Sequence, residues 1–130
     1  MSETTRIRKN ITNYRKGEII AIRIYEDSGV IYIDFCEKGV PNSPLKTQRF
    51  WFGDNQIANE INRSQLCAIF GNMSNLCLRA DDYIGTEIRF AVQATVKTNE
   101  RTFEDFALLP GSNNLTEERF ATLLSKIGIA

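Results

Sequence analysis

The segment Gln48-Arg49-Phe50-Trp51-Phe52 sets the chain's only tryptophan between two phenylalanines and just after an arginine. An aromatic ring beside a permanent cation can stack on a base while the guanidinium meets a phosphate, chemistry suited to single-stranded nucleic acid. Cationic, amide and aromatic residues of this kind recur at strand-like spacing, as Arg23 and Tyr25, Tyr32, then Arg89, Gln93, Lys97 and Phe103. Residues suited to catalysis are sparse. The chain has no histidine, no Gly-rich phosphate loop and no nucleophile elbow. Asp81-Asp82 is a carboxylate pair, but neighbours in a connecting segment read as a solvated turn, and a two-metal nuclease needs several converging carboxylates. Cys36, Cys67 and Cys77 contain no CxxC and read as reduced, mostly buried small hydrophobes, not as a zinc site. No enzyme, metal or cofactor is expected.

Hydrophobic alternation determines which elements position these side chains. Strand one covers about Glu18–Glu26, with Ile20, Ile22 and Ile24 on one face and Ala21, Arg23 and Tyr25 on the other. After the turn residues Asp27-Ser28-Gly29, strand two (Val30–Glu37) directs Ile31, Ile33 and Phe35 inward and Tyr32, Asp34 and Cys36 outward. Strand three (Thr47–Phe52) turns Phe50 and Phe52 inward and Arg49 and Trp51 outward, because the opposite register would bury an arginine. A helix over Gln56–Phe70 starts at Asp54 or Asn55 and stops at Gly71-Asn72. Met73 to Ile84 is a connection with a short helical turn around Leu76 and Leu78.

Strand four alternates Ile88, Phe90, Val92, Ala94 and Val96 with Arg89, Ala91, Gln93, Thr95 and Lys97. Strand five (Thr102–Leu109) closes a hairpin, and Phe103 faces outward if Phe106 and Leu108 face the core. A last amphipathic stretch, Thr116–Ile127, reads as a C-terminal helix burying Phe120, Leu123, Leu124 and Ile127.

This order is that of an OB-fold: mainly β with α, a five-stranded barrel with a helix between strands 3 and 4, and a C-terminal helix. Residues 1–16 form a basic N-terminal arm, 17–110 the OB-fold-like barrel, and 111–130 the helix on or beside it. The expected DNA-binding set is Arg23, Tyr25, Tyr32, Arg49, Trp51, Arg89, Lys97 and Phe103, a cationic face with interleaved aromatics and little sequence preference.

Charge tempers that reading. Sixteen basic and sixteen acidic residues balance to zero, which counts against coating nucleic acid by charge alone. The distribution is uneven: Arg6, Arg8, Lys9, Arg15 and Lys16 crowd the start, and the stretch after Glu100 is mildly acidic. No apolar run approaches the ~20 residues that span a bilayer. Met1 to Arg6 is polar with no apolar h-region following, so a cytoplasmic protein without a membrane partner is expected.

Two stretches carry a family resemblance. Gln65-Leu66-Cys67-Ala68-Ile69, within Asn62–Ile69, is followed after a connection by Ile84-Gly85-Thr86-Glu87-Ile88 entering a strand. This resembles the "arxQLxAI" helix and "hxGkxhxhxV" strand entry (h, hydrophobic) of phage-encoded OB-fold single-stranded DNA-binding proteins. The resemblance spans roughly Phe50 to Leu109. It implies a role near phage replication or recombination, in the host cytoplasm, with replication or recombination proteins as partners. The chain departs from the pattern in its zero net charge and in ending on a packed helix, not a disordered acidic tail. A homo-oligomer is expected, and RNA is not separable from DNA by stacking alone. The alternative is a protein-interaction or assembly subunit that uses the same barrel without nucleic acid.

Overall fold

The computed structural model describes residues 4–9 and 13–111. Among them, six antiparallel strands form one sheet: β1 (Thr5–Arg8), β2 (Arg15–Tyr25), β3 (Val30–Glu37), β4 (Lys46–Trp51), β5 (Glu87–Lys97) and β6 (Thr102–Pro110). Helices α1 (Gln56–Phe70) and α2 (Met73–Arg79), then a 3-10 turn over Ala80–Tyr83, connect β4 to β5. The expected C-terminal helix over 111–130 lies outside the described residues, apart from Gly111.

Local chemistry sets the helix ends. The Asn55 side chain accepts a hydrogen bond from the Ala58 amide at 3.1 Å, and Gly71, at φ +89°, ends the helix by donating to the Cys67 carbonyl. Asn72 caps α2 in the same way through the Asn75 amide.

The sheet runs β4-β3-β2-β5-β6, with β1 added beside β5. β2 pairs Arg15–Glu18 with Phe90–Glu87, and β1 continues that edge by pairing Thr5–Arg8 with Lys97–Ala94. Part of the segment read as a basic arm is therefore a strand, tied further by an Arg6–Asp105 ion pair at 2.5 Å. Six strands replace the expected five.

The sheet is not closed into a barrel: among the described residues no backbone ladder joins β4 to β6. Two buried glutamines bridge to β6 instead. The Phe106 amide donates to Gln48 Oε1 of β4 at 2.7 Å, and the Leu108 amide donates to Gln65 Oε1 of α1 at 3.1 Å. Gln48 Nε2 also donates to Asp105 at 2.6 Å. Alternate amides of β6 thus find side-chain acceptors, which removes the cost of leaving them buried and unbonded.

The core gathers Ile19, Ile31, Ile33, Phe35, Phe50, Leu66, Phe70, Leu76, Ile88, Phe90, Phe106 and Leu108. Phe35 lies 5.0 Å from Phe90 and 5.3 Å from Phe106, ring centre to ring centre. Register slips at two bulges, and the expected alternation fails at the first. The β2–β3 register slips between Ile19 and Ala21, so Ile19 is fully buried while Ile20, expected inside, is 40% exposed. The second slip, between Val92 and Ala94 of β5, frees Gln93 to donate to Asp105.

Candidate nucleic-acid interface

Directly opposed residues of an antiparallel pair point to the same face. Downstream of the β2 bulge this rule builds a grid across three strands. Ala21, Asp34 and Thr47 form one row, Arg23, Tyr32 and Arg49 the next, and Tyr25, Val30 and Trp51 the last. Five of the expected site residues therefore share one patch. Trp51 is 55% exposed, and Tyr25 and Arg49 are exposed beside it.

The backbone under this patch is tied from two sides. Gly29, at φ +64° in the β2–β3 turn, accepts from the Phe52 amide at 2.8 Å; a Cβ at Gly29 would stand 2.8 Å from the Phe52 oxygen. From α1, Asn59 grips Gly53 twice, accepting from its amide at 3.0 Å and donating to its carbonyl at 2.8 Å. Asn62 donates to the Trp51 carbonyl at 2.9 Å. The Trp51 indole lies on Gly53, where a Cβ would come within 2.7, 2.8 and 3.0 Å of three ring atoms. A glycine here lets a large ring lie against the main chain.

Asp34, expected to face outward, is 6% exposed despite its place on that face. It accepts from Arg23 Nε at 3.1 Å, from Arg23 Nη2 at 2.9 Å and from the Thr47 hydroxyl at 2.6 Å. Those carboxylate bonds are the chief reason that the Arg23 guanidinium pKa lies above its ordinary value. Arg23 also sits over the Tyr32 ring at 4.7 Å, and Tyr32 meets Tyr25 edge-on at 5.8 Å. Beside them lies an open groove of about 350 Å³ lined by Ser28, Val30, Tyr32, Arg49 and Trp51. The Arg49 guanidinium has no hydrogen-bond or ion-pair partner among the described residues.

The other three expected residues are not brought into this grid. Arg89 stands opposite Lys16 and Leu109, at the far end of β2 from Tyr25. The two levels are nine positions apart along β2, on the order of 25–30 Å. Lys97 pairs with Thr5 and Thr102, and Phe103 lies opposite Val96 with the Arg101 guanidinium 4.8 Å over its ring. Sequence reasoning in turn gave no role here to Gly53, Asn59 and Asn62. Two asparagines one turn apart on a helix that follows the aromatic strand were the available signal.

No family model, curated protein or solved structure matches this chain. Its chemistry rests on its own geometry. Among the described residues no group of three or more His, Cys, Asp and Glu could hold a metal ion, and no helix is long and apolar enough to cross a membrane. Away from the patch, burial pushes the Tyr14 phenol up to about 12.

Proposed function

We propose that the β2–β4 face binds single-stranded nucleic acid with little sequence preference, stacking bases on Trp51 and its neighbouring tyrosines. The observation that carries this reading is an exposed tryptophan held on a clamped backbone, in register with Tyr25 and next to a groove lined by Tyr32 and Arg49. The exposed face of this ring is apolar surface that a stacked base would remove from water. The strand order supports an OB-like arrangement of β2 to β6, with α1 between its third and fourth strands and an open seam between β4 and β6. OB-type folds present their second and third strands, β3 and β4 here, to oligonucleotides. In this proposal the protein is a non-enzymatic, homo-oligomeric, cytoplasmic DNA-binding component of phage replication or recombination. That biological setting rests on the helix and strand-entry resemblance alone.

Trp51 fluorescence during titration with oligo-dT, at two salt concentrations, tests the reading. Saturable quenching that weakens with salt is the expected result. Trp51→Ala should weaken binding by roughly 1–3 kcal/mol, the worth of one base stack, with little change in unfolding midpoint. A flat response, with no binding by anisotropy at tens of micromolar protein, would reassign the patch to a protein partner.

A further inference from the structure

Resting on the nucleic-acid reading, we infer that the interface makes one phosphate contact, through Arg49, and that Asp34 withholds Arg23 from the ligand as a positioning residue. The two arginines flank Tyr32 in the same row, Arg23 on β2 and Arg49 on β4, and composition alone makes them equivalent. Their surroundings separate them. Both donors of Arg23 that face Asp34 are engaged, one to each carboxylate oxygen, at 3.1 and 2.9 Å. Turning Arg23 toward a phosphate would leave the carboxylate of Asp34, 6% exposed, with only the Thr47 hydroxyl. A buried carboxylate stripped of its cation is strongly unfavourable, so the pair stays closed. The Nη1 donors of the half-exposed Arg23 lie outside this pair, but its charge is already neutralised by Asp34 and adds nothing to counterion release. Held there, Arg23 covers one side of Tyr32 at 4.7 Å and helps set its edge-on contact with Tyr25.

Arg49 has the opposite setting. It is exposed, lines the groove between Tyr32 and Trp51, and has no ion-pair partner among the described residues. The basic excess near the start of the chain does not supply a second contact of equal standing. Arg6 is paired with Asp105 and Arg15 with Glu37, while Arg8 and Lys9 lie on or beside β1 and Lys16 stands opposite Arg89, at the far end of β2 from the grid. Binding on this face is then mostly stacking, with one counterion released. This removes the conflict between an aromatic nucleic-acid surface and a net charge of zero.

The test is the salt dependence of affinity for an oligo-dT of about four nucleotides, the short end of OB site sizes, which confines binding to the patch. Each neutralised phosphate of a single strand contributes about −0.7 to the slope of log K against log salt. The wild-type protein should give a slope of about −0.7, and Arg49→Gln should flatten it toward zero, weaken binding and leave the unfolding midpoint unchanged. Asp34→Asn, which loosens Arg23, should steepen the wild-type slope by about another 0.7.

A wild-type slope of about −1.4 or steeper, or an Arg49→Gln slope equal to wild type, overturns the inference while leaving the nucleic-acid reading in place. A folded Asp34→Asn protein with an unchanged slope overturns the role given to Asp34. Should that variant not fold, the Arg49→Gln slope decides. Absence of any binding at low salt overturns the nucleic-acid reading and this inference together.

Discussion

Gly53→Ala isolates the support of Trp51 from the ring itself. An added Cβ would lie 2.7, 2.8 and 3.0 Å from three atoms of the indole. Carbon atoms in favourable contact sit about 3.5–4.0 Å apart. The benzo edge must therefore retreat by about 1 Å, away from the surface that supports it. The backbone itself should accept alanine, since Gly53 is not among the positive-φ glycines. Its gain from a stiffer unfolded chain, about 0.4–1 kcal/mol, roughly offsets the crowding, so the unfolding midpoint should hardly move. Binding should suffer more. Losing half of a base stack worth about 1–3 kcal/mol weakens oligo-dT affinity by roughly fivefold. The assay is a double-mutant cycle with Trp51→Ala, read by anisotropy of labelled oligo-dT. If Gly53 acts through Trp51, the double variant binds no more weakly than Trp51→Ala alone. In the free protein, time-resolved anisotropy of the single indole should report a more mobile ring. Unchanged affinity and ring mobility in Gly53→Ala, or losses that simply add in the cycle, would refute the reasoning.

Two further predictions concern the stability of the fold. Gln65→Ala strips the Leu108 amide of its acceptor in a buried setting and should destabilise the fold by roughly 1–3 kcal/mol, measured by urea unfolding; a smaller loss would mean that β6 does not need this acceptor. Stability should also fall at alkaline pH because of Tyr14. Its phenol is raised from 10.0 to about 12 by burial, so the folded form holds its proton more tightly than the unfolded form. That contribution is fully present below pH 10 and disappears as pH rises through 12. Tyr14→Phe should remove this phase from the pH dependence of the unfolding midpoint, and its persistence would assign the effect elsewhere.

The legibility of the candidate site followed the continuity of its strands. Arg23 and Tyr25, Tyr32, and Arg49 and Trp51 lie on uninterrupted stretches, so parity alone brought them to one face. Arg89, Lys97 and Phe103 were grouped with them by the same parity argument, but parity reports a face, not a position along it. They sit elsewhere because pairing with β1, β2 and β6 fixes their levels, and those partners are distant in sequence. Ile20 was misplaced because one extra residue in a bulge reverses inside and outside, and the hydrophobic run Ile19-Ile20 conceals it.

The extent of β3, the span of α1 over Gln56–Phe70 and the exposed side of β4 are legible locally. Each depends on the period of apolar residues and on caps within a few positions. Which charges are committed and how the sheet ends depend instead on contacts between strands distant in sequence. Arg23 and Arg49 look alike until cross-strand register sets Asp34 against one of them. Gln48 and Gln65 look like ordinary polar residues until β6 presents its amides to them. Register and edge chemistry join residues that the chain keeps far apart, and no period along the sequence encodes those meetings.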